Sequence, residues 1–406
     1  VSPFPRVIDD TLSYADLMLA TGRAERVEEI LRGGLPGDVP LTPMQSQGLL
    51  RVVTQAAQRD AEVVLAGGSA ISPGLLALAQ ERGLTLPAGL QEARVVILSF
   101  ATPTDREEIV RAFEALVSAG VEERGAMVRI SRRLIASPKP TAGLAFAEAL
   151  LSGAEPVSSD RLRLGHLVLG EVGGLDDLKR MLPELTKGDR AERLLAQIVP
   201  ADQPPPKPGQ REAEVAYYAA VMAAGNDRSQ VAEEMYRFVL SLDSEHAMAA
   251  NNLGYALLEH GGDRDEAARL IERGYVNAPE NPHVLDSLGW LRYKQGRLND
   301  EDGALGLGAI TLIRRAIDSD GGDPSPEVLS HLGDALWRAG RKDEARQAWQ
   351  SGFETAKLYV EIIEGESMQV SSLERRTLRQ LRDELQKRLD DVRAGREPGV
   401  ASAWAD

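Results

Sequence analysis

The chain has 406 residues, which is enough for two ordinary hydrophobic cores or for one long repeat array. Its formal net charge of −15 disfavours binding to phosphate backbones, and its aromatic content of 4% argues against an all-β sandwich or barrel. Cysteine is absent, which excludes disulfides, thiolate metal sites and cysteine nucleophiles while leaving the redox compartment open.

The chain begins "VSPFPRVIDD", with neither an initiator methionine nor the apolar core of a signal peptide. No apolar run reaches the length of about 18 residues that a membrane-spanning helix needs. We therefore expect a processed or excised piece of a longer protein, so that a targeting signal or a further domain would lie outside it.

Apolar residues follow the helical period almost everywhere along the chain. The best strand candidate is Ala93–Phe100, "ARVVILSF", which fits a buried helix equally well. Capping boxes at Thr104–Glu107 and Ser371–Glu374 predict helix starts, as do Asn281-Pro282 and Ser325-Pro326, where a cap residue precedes proline. These signals predict an all-α chain.

The clearest interruption is the segment Val199–Gln210, "VPADQPPPKPGQ", whose prolines cannot continue a helix. We place a boundary there. The expected order is a helical-repeat region over 1–198, a Pro-rich linker over 199–210, a repeat array over 211–369, and a capping helix with a tail over 370–406. A long loop inside one continuous array is the alternative.

One pattern occurs three times after the linker. A Leu-Gly pair lies in a first helix, a glycine closes that helix, and the second helix carries a small residue followed four positions later by a large one. The pairs are Leu253-Gly254, Leu288-Gly289 and Leu332-Gly333, followed by Ala267/Ile271, Ala309/Ile313 and Ala345/Trp349. Self-similarity at this spacing is typical of a helical solenoid.

The pattern resembles the tetratricopeptide repeat family, specifically over about Glu212–Ala356 and loosely at Leu12–Gly33 and Leu162–Leu182. The resemblance implies an all-α, right-handed superhelical solenoid of antiparallel helical hairpins. The repeated Leu, Gly and Ala residues are then packing residues, because neighbouring hairpins bury each other's apolar faces.

The resemblance also implies a concave groove, lined by first-helix positions two before, two after and five after each repeated leucine. Tyrosine and tryptophan at such positions are typical anchors for a peptide, although packing between helices is an equal alternative for Trp290 and Trp337. Glu327 and Asp334 argue against capture of a C-terminal carboxylate. The predicted groove residues, with three flanking ones, are Asn251, Tyr255, Leu258, His283, Asp286, Trp290, Tyr293, Lys294, Ser330, Asp334, Trp337 and Arg338.

The C-terminal segment Val370–Gly395 has leucines at helical spacing and a densely charged opposite face. This pattern predicts a helix that caps the array, because the last unit needs a polar outer side. Coiled-coil pairing with another chain is the competing interpretation.

No motif in the sequence predicts catalysis, a cofactor or a metal. The histidines have no ligand spacing, the glycine-rich stretch Gly303–Ile310 lacks the Lys-Ser/Thr of a phosphate loop, and Ala66–Gly74 is not a nucleophile elbow. We therefore expect no enzymatic activity in this chain.

The predicted function is a non-catalytic protein–protein interaction scaffold that binds a partner peptide or helix in the concave groove. The alternatives are a structural subunit that oligomerises through its convex face or its C-terminal helix, and the interaction region of a larger enzyme. We expect a protein partner, no nucleic acid and no membrane insertion. The composition fits a bacterial source, and the compartment stays open between the periplasmic side of the envelope and the cytoplasm.

Overall fold

A computed structural model describes residues 4–37, 39–70, 74–153, 156–200, 203, 206–300, 306–319, 321, 324–365 and 372–404. Every regular element in this part of the chain is a helix, so the all-α prediction is confirmed. None of the described helices is long and apolar enough to cross a membrane. By its internal contacts the chain divides into two compact units, Val1–Pro205 and Pro206–Asp406.

The first unit is built from helices that bury alanine, leucine, valine and isoleucine between them. The loosely repeating stretches near Leu12 and Leu162 each form two consecutive helices that contact each other, Phe4–Ala20 with Val27–Gly34 and Ser159–Val172 with Leu175–Thr186. The helices are α1 (Phe4–Ala20), α2 (Val27–Gly34), α3 (Pro43–Leu65), α4 (Gly74–Glu81), α5 (Ala88–Phe100), α6 (Arg106–Ser118), α7 (Glu123–Ile135), α8 (Thr141–Leu151), α9 (Ser159–Val172), α10 (Leu175–Thr186) and α11 (Arg190–Ile198).

The strand candidate Ala93–Phe100 lies inside helix α5, so the strand alternative is wrong. Helix α5 packs against α3, α6 and α8, and Val95 and Val96 are completely buried. A helix covered on several sides needs apolar residues at nearly every position, which is why this stretch has no clear period.

The helix starts that the sequence predicts are confirmed at Asn281 and Ser325. The side chain of each accepts hydrogen bonds from backbone N–H groups of the following turn, and a proline occupies the first turn in both cases. The predicted box at Thr104 is wrong, because Asp105 caps α6 and the Thr104 hydroxyl donates instead to the carbonyl of Ala101, 3.2 Å away. The box predicted at Ser371 lies outside the described residues.

The second unit stacks antiparallel helical hairpins in a row, each formed by two consecutive helices. A short 3₁₀ turn at Pro208–Gln210 precedes them, and one further helix packs on the last hairpin. The hairpins are α12 (Arg211–Gly225) with α13 (Ser229–Leu242), α14 (Ala247–Glu259) with α15 (Arg264–Asn277), α16 (Pro282–Lys294) with α17 (Ala309–Ser319), and α18 (Pro326–Arg338) with α19 (Lys342–Gly365), followed by α20 (Ser372–Arg393).

The repeated glycines lie where the second helix of the hairpin leaves no room for a side chain. A β-carbon on Gly254 would lie 2.8 Å from Ile271 Cγ1 and 3.0 Å from the Ala267 carbonyl oxygen, and one on Gly289 would lie 2.6 Å from Ile313 Cγ1. These neighbours are the small and large residues that the sequence pattern pairs with each glycine. The predicted packing role of the Leu-Gly pairs is confirmed.

The C-terminal helix α20 closes the array as a cap. Its Leu385 and Leu389 are buried, and α20 packs on both α18 and α19. After the turn at Gly395, whose φ of 72° is left-handed, residues 396–404 run without regular structure back onto α16 and α18. We call residues 396–404 the tail.

Candidate protein-interaction groove

The predicted groove positions lie on the first helices of the last three hairpins, α14, α16 and α18. We call the face that these helices share with α12, the first helix of the first hairpin, the groove face. The structure divides the predicted residues between three environments. Asn251, Tyr255, His283 and Asp286 line an open cleft. Tyr293, Lys294, Ser330, Asp334 and Trp337 contact the tail or the end of α20. Leu258 and Trp290 are buried, and Arg338 lies over the Tyr293 ring.

The tail is held on the groove face by its backbone. The Ala401 N–H donates to Asp334 Oδ2 at 3.0 Å, and the Ala401 carbonyl accepts from the Tyr293 hydroxyl. The Trp404 N–H donates to the Lys294 carbonyl at 2.8 Å. Burial raises the pKa of Tyr293 to about 12, so the hydroxyl stays a donor at neutral pH.

Side chains of α18 and α20 hold the first part of the tail, at Glu397 and Gly399. Trp337 Nε1 donates to Glu397 Oε1 at 2.7 Å, so that the Glu397 side chain lies against the indole N–H. Arg388 of α20 donates through Nε to the Gly399 carbonyl at 3.0 Å and through Nη1 to Ser330 Oγ at 2.7 Å. The tail and α20 therefore cover this part of the groove face together.

Asp334 is the acidic centre under the tail. It is 1% exposed, and its Oδ1 accepts from Trp349 Nε1 at 3.0 Å and lies 3.2 Å from Arg388 Nη1. Burial raises the pKa of this carboxyl, although Arg388 and the hydrogen bonds from Ala401 and Trp349 act in the opposite direction. The carboxylate of Asp334 therefore binds the tail by accepting a hydrogen bond from a backbone N–H.

Trp290 packs between helices. It is 4% exposed, stacks on Tyr293 with ring centroids 4.5 Å apart and on His331 at 4.0 Å, and donates from Nε1 to Glu259 Oε1 at 2.7 Å. Of the two tryptophans predicted as anchors, only Trp337 contacts the peptide segment that occupies the groove face.

A buried ion pair lies between the two parts of the groove face. His331 Nδ1 is 3.1 Å from both carboxylate oxygens of Asp286. Burial by itself lowers the pKa of His331, but the charge and hydrogen bond of Asp286, with Glu327 and Asp334 nearby, outweigh it and raise the pKa to about 9. The imidazole is therefore charged at neutral pH.

The open cleft has a volume of about 610 Å³ and is lined by residues of α12, α13, α14, α16 and α18. Its carboxylates are Glu233, Glu259, Asp286 and Glu327, and none of the described residues lining it is a lysine or an arginine. The Tyr255 hydroxyl donates to Glu327 Oε1 at 2.7 Å. Burial, followed by the charges of Glu327, Asp286 and Glu259, raises the pKa of Tyr255 well above its ordinary value.

Asn251 is the buried polar group of the cleft. The residue is 3% exposed, and its Oδ1 has no hydrogen-bond partner among the described residues. The neighbouring Asn252 is satisfied differently, since its Nδ2 donates to the hydroxyls of Tyr217 and Tyr236, each at 3.3 Å. An unpaired buried acceptor costs about 1–3 kcal/mol, so a donor that reached Asn251 would recover that energy.

Sequence reasoning missed part of this site. Glu259 lies one position beyond the predicted Leu258, and Glu233 lies on the second helix α13, whereas the predicted groove positions are all on first helices. The tail has no periodic pattern that would predict its contacts. A search for acidic residues next to the predicted positions would have found Glu259, which follows Leu258 directly. Within the described chain, no group of three or more His, Asp or Glu residues is arranged to hold a metal ion.

Stacked hairpins with glycine contacts between their helices define a helical-repeat protein. The family model that matches is described as "Tetratricopeptide repeat", and it matches residues 219–282 and 307–356. A curated relative, the TPR repeat-containing protein PA4667 of Pseudomonas aeruginosa, is 37% identical over 109 residues. The match covers 27% of this chain and 16% of that protein. These two stretches of the second unit are tetratricopeptide repeats, as the sequence pattern predicts.

A solved structure, the crystal structure of the APC/C hetero-tetramer Cut9-Hcn1, contains a chain that is 12% identical to this one. The alignment covers 94% of this chain and 90% of that chain, with a TM-score of 0.26. The repeats themselves identify a scaffold for protein–protein interaction.

Proposed function

We propose that this chain is a non-catalytic scaffold that holds an extended segment of a partner protein on the groove face of its second unit. The observation that supports this most directly is the tail, since a peptide without regular structure already lies there. Its contacts include backbone groups at Ala401 and Trp404. Contacts to the peptide backbone hold an extended segment whatever its side chains are, and neighbouring pockets then select the sequence.

A partner that uses the same residues has to displace the tail. The test is a fluorescein-labelled peptide of residues 396–404, titrated into the chain from which 396–406 has been deleted. We expect saturable binding in a fluorescence-anisotropy titration. The full chain should bind the peptide at least about tenfold more weakly, because its own tail occupies the same contacts. Equal binding to the two proteins, or none to either, would contradict the proposal.

A matched pair of variants tests the hydrogen bond from Tyr293. In the tail-deleted protein, Tyr293→Phe removes the hydroxyl that donates to the Ala401 carbonyl and should weaken peptide binding about fivefold, the usual worth of about 1 kcal/mol for such a bond. Tyr275→Phe makes the same chemical change on α15, away from the groove face, and should leave the affinity unchanged. Equal effects of the two variants would show that the peptide lies elsewhere.

A further inference from the structure

We infer that the open cleft receives a lysine or arginine side chain from the partner segment, while the Asn251 amide oxygen accepts a hydrogen bond from an N–H of that segment. The inference rests on the proposed function and adds to it the chemical class of the partner. Four observations carry it: the charge of the cleft, the unpaired amide, the state of Glu327, and the position of the tail next to the cleft.

The charge of the cleft is one-sided. It contains the carboxylates of Glu233, Glu259, Asp286 and Glu327 and the imidazoles of His260 and His283, and no lysine or arginine is among its described lining residues. A concave site lined by one sign of charge, with apolar walls, concentrates the field and attracts the opposite sign. A partner segment with a cation is therefore favoured over a neutral or acidic one.

Glu327 is the carboxylate best placed to take that cation. Glu259 already has the Lys294 ammonium 3.6 Å away, Asp286 is paired with His331, and Glu233 has His260 Nδ1 3.6 Å away. Glu327 is exposed, and its hydrogen bond comes from the neutral hydroxyl of Tyr255. An incoming cation thus gains an ion pair at Glu327 without breaking an existing one.

The amide of Asn251 is a second, independent observation that indicates a ligand in the cleft. The residue is buried, it lines the cleft, and its Oδ1 lacks a partner among the described residues. A carboxylate cluster alone would be satisfied by solvent ions, but a buried amide oxygen requires a donor of defined position. A peptide or side-chain N–H that enters the cleft is such a donor.

The tail places an extended peptide at the edge of the cleft. The Trp404 N–H is bonded to the Lys294 carbonyl, while the ammonium of the same Lys294 is close to Glu259 in the cleft lining. The covered part of the groove face and the open cleft are therefore adjacent. A partner segment longer than the tail would reach from one into the other.

The test uses the full chain, because the cleft is open while the tail is in place. The probes are two fluorescein-labelled hexapeptides of Gly and Ser that differ at one central residue, arginine in one and its neutral isostere citrulline in the other. We expect the arginine peptide to bind at least about fivefold more tightly in an anisotropy titration, and the difference to shrink with added salt. Equal affinities at low salt would overturn the inference.

Charge-matched variants separate the cleft from the overall negative charge of the molecule. Glu327→Gln should weaken binding of the arginine peptide about threefold or more and leave the citrulline peptide unchanged. Glu354→Gln removes the same charge from an exposed position on α19, outside the cleft, and should change neither affinity. Equal effects of the two variants would mean that only the net charge attracts the arginine.

The amide is tested by Asn251→Leu, which keeps the branched shape of the side chain and removes the acceptor. We expect it to weaken both peptides by a similar factor while the protein melts at an unchanged or higher temperature, since a buried unpaired group has been removed. If the variant binds both peptides as the unmodified chain does, the role assigned to Asn251 is wrong.

The outcomes also separate this inference from the proposed function. If the tail peptide binds the tail-deleted chain but arginine and citrulline peptides bind equally, the groove function stands and the cation preference falls. If the arginine peptide is preferred and the preference depends on Glu327, but the tail peptide does not bind, the cleft binds basic segments and the proposed function of the groove face is wrong.

Discussion

At the scale of single residues, the buried pair of His331 and Asp286 links the two parts of the groove face. Asp286 lines the open cleft, and His331 stacks on Trp290 beneath the covered part. The other charged groups facing His331 are Glu327 and Asp334, and the Tyr255 ring lies 6.5 Å away. A charge held between the open cleft and the covered part of the groove face should make the stability of the fold sensitive to pH.

The pH dependence of stability follows from the raised pKa of His331. Its pKa is about 9 in the folded chain against an ordinary value of 6.5, so the folded state binds the proton more tightly than the unfolded state. The stability from this pair is complete below pH 6.5 and disappears as the pH rises through 9. Denaturant unfolding at pH 6, 7.5 and 9 should show a progressive loss on the order of 2 kcal/mol in total.

Two substitutions serve as controls for that result. In His331→Gln the loss between pH 6.5 and 9 should be absent, because the titrating group is gone. In Asp286→Asn it should also be absent, because burial then favours the neutral imidazole throughout. A pH-dependent loss of the same size in both variants would assign it to other groups.

At the scale of the helices, the glycine contacts set how closely each hairpin packs. Gly254→Ala should destabilise the chain by about 1–3 kcal/mol, because the methyl carbon would lie 2.8 Å from Ile271 Cγ1 and 3.0 Å from backbone atoms of α15, which cannot yield as the end of a flexible side chain can. Gly225→Ala is the matched control, since nothing lies within 4 Å of its added carbon and helix propensity improves. The difference between their thermal unfolding midpoints measures the effect, and similar midpoints would contradict it.

Local signals in the sequence predicted the helices well and the groove only in part. The caps at Asn281 and Ser325 and the packing of Gly254 depend on neighbours within one hairpin, which the repeat pattern contains. The tail could not be predicted, because its contacts join residues far apart in sequence, such as Tyr293 and Ala401 at a separation of 108. The groove positions were therefore predicted without knowing which of them the chain itself covers.

At the scale of the whole molecule, the C-terminal helix bears on oligomeric state. The apolar residues Leu385 and Leu389 of α20 are used inside the chain, where they cover α18 and α19. We expect a monomer in sedimentation-equilibrium measurements up to about 100 μM, because a second chain would find mostly the charged face of α20. Deletion of residues 372–406 should lower the unfolding temperature. A dimer that dissociates on this deletion would support the assembly alternative instead.

The tail also changes how a measured affinity is to be interpreted. A tethered segment that lies on its own binding surface has an effective concentration of about a millimolar or more. If the dissociation constant of the free tail peptide is about 100 μM, molecules with the tail bound outnumber those with the tail released about tenfold. A partner that needs the covered residues then binds about tenfold more weakly than its contacts alone would allow. A partner that enters only the open cleft escapes this penalty, so two ligands with equally good contacts would rank differently in the full chain.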